Sequence, residues 1–167
     1  MQSDFIRAAV VTALLALPAT ASAHGSADRA KQAMTTISTE EHPFGVQGDP
    51  RKASRTIKLS MDDTMHYSQS QIRVAQGETI TFVVTNKGKL LHELVLGTED
   101  ELKQHAELMR KYPDMEHDEP YMAHVKPGGT ERITWKFTKP GTFLYGCLVA
   151  GHFQAGMKGT IVVVTNK

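Results

Sequence analysis

From Arg55 onward the chain is written in short runs where β-branched and aromatic residues alternate with polar ones, and that texture leaves few folds open. Thr56-Ile-Lys-Leu-Ser60 and Gln71-Ile-Arg-Val-Ala75 alternate, and Gln76-Gly77 turns the chain after the second. Thr79 to Thr85 closes at Asn86-Lys87-Gly88, and Leu90 to Leu96 closes at Gly97. Glu131 to Phe137, Thr142 to Cys147 and Gly159 to Thr165 follow, with the turn Lys139-Pro140-Gly141 between the first two. A period of two sends one face of each run to a core and the other to water. Short runs of this kind, punctuated by turn residues, predict an all-β sandwich or barrel.

One stretch keeps a different period. Thr98 precedes Glu99, Asp100 and Glu101, which supplies an N-cap, an acidic first turn and the acceptor of a capping box. Leu102, Ala106 and Met109 then recur at helical spacing, so a helix is expected that ends before Pro113. It lies between two strands, within an insertion read as residues 98–124 of a domain read as 53–167. Residues 24–52 are polar and carry Gly25, Pro43, Gly45, Gly48 and Pro50 with little periodicity. They read as a flexible arm, with one short helix around Asp28 to Met34.

The first residues read as a signal peptide over 1–23. Arg7 gives a short positive region, Ala8 to Leu17 is almost wholly apolar, and Ala21-Ser22-Ala23 has the small-x-small pattern of a cleavage site. The apolar run is shorter than the ~20 residues that span a bilayer, and no lipobox cysteine follows. The expectation is a periplasmic protein without a membrane anchor, starting near His24. A formal net charge of +1 gives no electrostatic case for nucleic acid or an anionic membrane as partner.

Export sharpens the meaning of the chain's one cysteine. Oxidising compartments favour disulfides, yet Cys147 has no partner within the chain. It is therefore inert and buried, or else a metal ligand or reactive thiol. Its neighbours point to the metal. In Tyr145-Gly-Cys147-Leu-Val-Ala-Gly-His152-Phe-Gln-Ala-Gly-Met157, a cysteine, a histidine and a methionine share one loop between two strands. Gly151 and Gly156 permit turns that aim His152 and Met157 inward. His92, just after the Asn86-Lys-Gly88 turn, is placed to supply a fourth ligand from another strand. Two histidines, a thiolate and a weak axial methionine compose a type 1 copper site, in which thiolate and thioether suit Cu(I) and imidazole tolerates both oxidation states. Each residue alone has a blander reading: Cys147 and Met157 as core, His92 as a satisfied histidine.

Gly77-Glu-Thr-Ile-Thr-Phe-Val-Val-Thr-Asn86, then His92, then the Cys147/His152/Met157 loop ending in Gly159-Thr-Ile-Val-Val resemble the cupredoxin family, which includes azurin, plastocyanin and auracyanin. The resemblance covers roughly Arg55 to Thr165. It implies a Greek-key β-sandwich with one mononuclear copper near one end. One position departs from it: family members often carry asparagine directly after the first histidine, tying the two ligand loops together, and here that residue is Glu93.

Soft and imidazole donors are more numerous than one such site needs. Met61, Met65 and His66 share a short segment, and His105 and Met109 are one helical turn apart on the same face. Met115, His117, Met122, His124 and the expected N-terminal His24 extend the set of candidate secondary copper ligands. Such enrichment, with the inserted helix, resembles periplasmic cupredoxins of bacterial copper-resistance systems. No second cysteine for a dinuclear centre, no His-Cys-His motif and no nucleophile–base pair is in view, so enzymatic turnover is not expected. Three roles follow: copper handling, together with a copper-trafficking partner; one-electron transfer to a redox partner through an apolar patch of Leu148, Val149, Phe153 and Ala155; and a copper-free binding module.

Overall fold

Strands form where the alternating runs place them. The computed structural model describes residues 37–113, 115 and 117–165. Its strands are β1 (Val46–Gln47), β2 (Arg55–Asp62), β3 (His66–Tyr67), β4 (Gln71–Ala75), β5 (Thr79–Asn86), β6 (His92–Gly97), β7 (Met122–Val125), β8 (Thr130–Lys136), β9 (Gly141–Gly146) and β10 (Lys158–Val164). They build two five-stranded sheets, ordered β1-β8-β5-β2-β3 and β4-β10-β9-β6-β7. β2 runs parallel to β5 and β4 parallel to β10, while the remaining neighbours are antiparallel. The chain crosses repeatedly between sheets, as a Greek-key sandwich requires.

The inward residues of each run meet in the middle. Ile57 and Leu59 of β2 lie opposite Phe82 and Val84 of β5, and all four join Leu94, Leu96, Trp135, Tyr145 and Ile161 in the principal core. Burying a side chain of this size contributes about 1.5–3 kcal/mol, so register is strongly specified: a one-residue slip would turn a whole row to water.

β6 is buried along its entire length. Leu94 and Leu96 point into the sandwich, while Val95 faces the opposite way, under helix α1 (Glu99–Lys111). Thr98 and Glu101 form the expected capping box. Leu102, Ala106 and Met109 of α1 pack with Val95, Met122, Leu148 and Phe153 in a second cluster. The helix thus roofs the outer face of the sheet beside the Cys147–Met157 loop.

Two segment boundaries differ from those the residue pattern suggests. Within 24–52, the described part docks instead of remaining an arm: β1 pairs with β8, Phe44 is buried, and the indole N–H of Trp135 donates to the Phe44 carbonyl at 3.0 Å. Tertiary packing of one aromatic ring overrides a polar, Pro/Gly-rich local composition. Within 98–124, residues 122–125 are β7, an edge strand hydrogen-bonded to β6, so the insertion ends earlier. Four residues are too few to announce a strand. The expected signal peptide, His24 and the expected helix around Asp28 to Met34 lie outside the described residues.

Candidate metal centre

Cys147 directly follows β9, and Met157 directly precedes β10, whose Lys158 pairs with Gly146. The intervening loop is cinched by its own backbone: the Cys147 N–H donates to the Met157 carbonyl, and the Met157 N–H to the His152 carbonyl, both at 3.0 Å. Gly151 and Gly156 take the left-handed backbone that the loop needs, at φ of 88° and 99°. Cys147 and Met157 are fully buried at the end of the principal core, while His152 remains partly exposed.

His92 opens β6 and is fully buried. Its Nδ1 lies 3.9 Å from the Cys147 Sγ, and Nδ1 of His152 lies 3.3 Å from the same sulfur. One ligand atom from each of the three residues lies within 4.8 Å of the other two. The two imidazole rings have centroids 5.0 Å apart.

The surrounding groups fix this arrangement. Asp63, in the turn after β2, accepts from Nε2 of His92 at 3.1 Å. A proton held on Nε2 leaves Nδ1 with its lone pair facing the sulfur, which is the tautomer a metal requires. Asp63 itself accepts backbone N–H groups of Lys89 and Leu90, and these hydrogen bonds, ahead of His92, hold its carboxyl below the usual range. Gly88 makes room for it: a Cβ there would fall 2.0 Å from the Asp63 Oδ1. Asn86, buried, donates to the Leu90 and Val125 carbonyls and accepts from the Gly88 N–H, which shapes the turn leading to His92.

Glu93 points the other way, toward the helix. Its backbone N–H donates to the Cys147 Sγ at 3.3 Å, and its carboxylate accepts the Leu148 N–H at 3.3 Å and faces Nδ1 of His124 at 3.0 Å. A carboxylate here ties the two ligand-bearing stretches together, and His124 balances its charge. Burial pushes the Cys147 thiol up to about 12 and pulls His152 below its ordinary value, with His92 adding to the latter. A buried neutral thiol between two imidazoles is a donor set suited to a soft, low-coordinate metal. A bound cation would reverse the thiol's preference and hold it as thiolate. Met157, buried in the same core cluster as Cys147, is the thioether nearest in sequence to this set.

The secondary donors separate. Met61 is core, and His66 lies on the solvent side of the β2–β3 pair with its Nδ1 at the Thr64 carbonyl. Met65 packs against the core at positive φ (62°). Met109 and Met122 fill the cluster beneath α1, and Met115 is exposed. His105, His117 and His124 do assemble, beside Glu93. Asp63 and Asn86 were not distinguishable from ordinary turn residues in sequence.

The family model for copper binding proteins of the plastocyanin/azurin family matches residues 54–164. The chain is 44% identical to the copper-resistant cuproprotein CopI of Rubrivivax gelatinosus over 98% of this chain and 99% of that protein. It is 33% identical to the CopI of Pseudomonas aeruginosa over 72% of this chain and 82% of the relative. Among solved structures, dithionite-reduced auracyanin from Roseiflexus castenholzii superposes with a TM-score of 0.58 at 27% identity, covering 67% of this chain and 98% of that one. Auracyanin B superposes at 0.60 with 23% identity, covering 74% and 96%, a likeness of fold. With two histidines and a cysteine converging at the end of this sandwich, the chain belongs to the plastocyanin/azurin family of copper-binding proteins.

Proposed function

We propose that the chain is a periplasmic, non-enzymatic copper protein whose type 1 ion is held by His92, Cys147, His152 and Met157, and that it serves copper handling and tolerance. The observation that carries the ligand assignment is the approach of both Nδ1 atoms to one buried sulfur, 3.9 Å for His92 and 3.3 Å for His152. When bound, copper supplies a one-electron Cu(I)/Cu(II) couple. The protein's own part is to hold three donors rigidly, keep water from the sulfur and fix the His92 tautomer through Asp63. The names of the CopI relatives, one of them alike over nearly the whole chain, support copper tolerance as the role. The reading of residues 1–23 as a signal peptide supports the compartment, and no helix among the described residues is long and apolar enough to cross a membrane.

Burial of two of the four residues expected to form the docking patch weighs against a freely shuttling electron carrier, while Val149 is half-buried and Ala155 exposed. Leu148 and Phe153 are packed beneath α1. Leu90 and Leu91, 48% and 42% exposed, leave a smaller apolar surface before His92, and they keep electron transfer as the second reading. Titration of the mature protein with Cu(II), followed by visible and EPR spectra, tests the centre: an intense thiolate-to-copper band is expected, and its absence rejects the assignment. Copper tolerance of cells lacking the gene tests the role, with unchanged tolerance counting against it. Fast electron self-exchange would favour the carrier.

A further inference from the structure

Three histidines from three separate elements converge on the helix side of β6. His105 comes from α1, His117 from the segment after it, and His124 from β7. The rings of His105 and His117 have centroids 4.5 Å apart, and those of His117 and His124 are 6.1 Å apart. With metal–nitrogen bonds of about 2 Å, two imidazoles on one ion place their centroids roughly 4.5–6 Å apart, so His105 and His117 stand at that spacing and the His124 ring must close slightly on them for one ion to meet all three. The His92–His152 pair at the first centre, at 5.0 Å, has comparable spacing.

The hydrogen-bond pattern suits a ligand set. Nε2 of His117 is buried and has no hydrogen-bond partner, a condition no other side-chain nitrogen or oxygen shares among the described residues. A buried, unpaired nitrogen calls for an explanation, and an ion is one of the few available. Its other nitrogen, Nδ1, lies 3.4 Å from the Met115 carbonyl, where a proton is accommodated, so Nε2 carries the lone pair. His124 meets the Glu93 carboxylate through Nδ1 and the His117 carbonyl through Nε2. Exchanging that second contact for an ion produces the carboxylate–histidine–metal relay by which proteins orient and strengthen an imidazole ligand.

We propose that His105, His117 and His124, backed by Glu93, form a second copper site that takes Cu(II) through imidazole nitrogens. Neutral nitrogen donors without a thiolate suit Cu(II), which stands highest among the divalent first-row ions for such ligands. The site is distinct from the first centre but touches it through one residue: Glu93 reaches His124 with its carboxylate and Cys147 with its backbone N–H.

Copper content and EPR of the Cu(II)-loaded full-length mature protein test the site. Wild type should show a second, nitrogen-coupled Cu(II) signal beside the type 1 signal. The His105→Ala/His117→Ala variant should bind one copper fewer and lose that signal while keeping the type 1 visible band. Equal copper content in the variant, or persistence of the nitrogen-coupled signal, overturns the proposal. His117→Gln, which keeps a polar side chain of similar size, should weaken the second copper about tenfold or more, and unaltered affinity overturns it likewise. Cys147→Ser separates the two centres, since it should lose the visible band and retain the nitrogen-coupled signal. Loss of that signal in Cys147→Ser would also overturn an independent second site.

Discussion

Nε2 of His92 and Oδ1 of Asp63 lie 3.1 Å apart, although 29 residues separate them in the chain. The contact orients a fully buried imidazole from outside the core, so the carboxylate decides which nitrogen of His92 faces the Cys147 sulfur.

Asp63→Ala should therefore lower copper affinity by about 10–100-fold, the range found when a partner that orients a metal ligand is removed. Competition against a chelator of known affinity measures this. Asp63→Asn, which can still accept a hydrogen bond, should lose less; equal loss from both variants would show that charge, not tautomer, matters.

Copper uptake should release a proton from Cys147. Burial pushes this thiol up to about 12, so the metal-free protein holds it neutral at pH 7, and binding as thiolate expels the proton. Raising pH should then tighten apparent binding. Copper added in weak buffer with a pH indicator should acidify wild type by about one proton per copper beyond the Cys147→Ser variant. No difference between the two would place the ion away from the sulfur.

Met157→Leu should retain copper, move the visible spectrum and raise the reduction potential. A soft thioether suits Cu(I), yet any axial electron pair stabilises the more highly charged Cu(II) more, so replacing it by a hydrocarbon of similar volume destabilises Cu(II) relative to Cu(I). Protein-film voltammetry reads the potential, and an unchanged value would deny Met157 its axial role.

Phe44→Ala should destabilise the fold by about 3–5 kcal/mol. The ring is buried and stacks on Trp135 with centroids 5.1 Å apart. Urea unfolding measures the loss, and the folded variant should keep its copper band. A change below about 1 kcal/mol would mean that this segment does not dock in solution.

His124 is held above its ordinary 6.5 chiefly by its hydrogen bond to Glu93, against the effect of burial. Because the folded value is raised, the stability from this pair is fully present below the unfolded value and is lost as pH rises through the folded one. In the metal-free protein, Glu93→Gln should return His124 toward 6.5 in an NMR titration. An unmoved titration would assign the shift to another neighbour.

The strands and the ligand loop were legible because their information is local. Period-two alternation marks β2, β4 and β5, and Cys147, His152 and Met157 sit on one loop where spacing alone suggests convergence. Thr98 and Glu101 announced α1 for the same reason. What the sequence could not display depended on distant partners. Asp63 carries no mark in its turn, and its role exists only because β2 and β5 run side by side and bring it beneath Gly88. Phe44 sits among Pro43, Gly45 and Gly48, residues that usually flank loops, and its burial depends on Trp135 far along the chain. His105, His117 and His124 were recognisable as potential donors, but their grouping apart from Met61, Met65 and His66 follows from β7 pairing with β6.

The uneven burial of the first centre has a kinetic corollary. Three of its proposed ligands are sealed from water, whereas His152 stands partly open at the mouth. The ring of His152 is therefore the point at which solvent meets the centre, so a substitution on the loop surface beside it should alter access to the centre more than one of equal size on the far side of the sandwich.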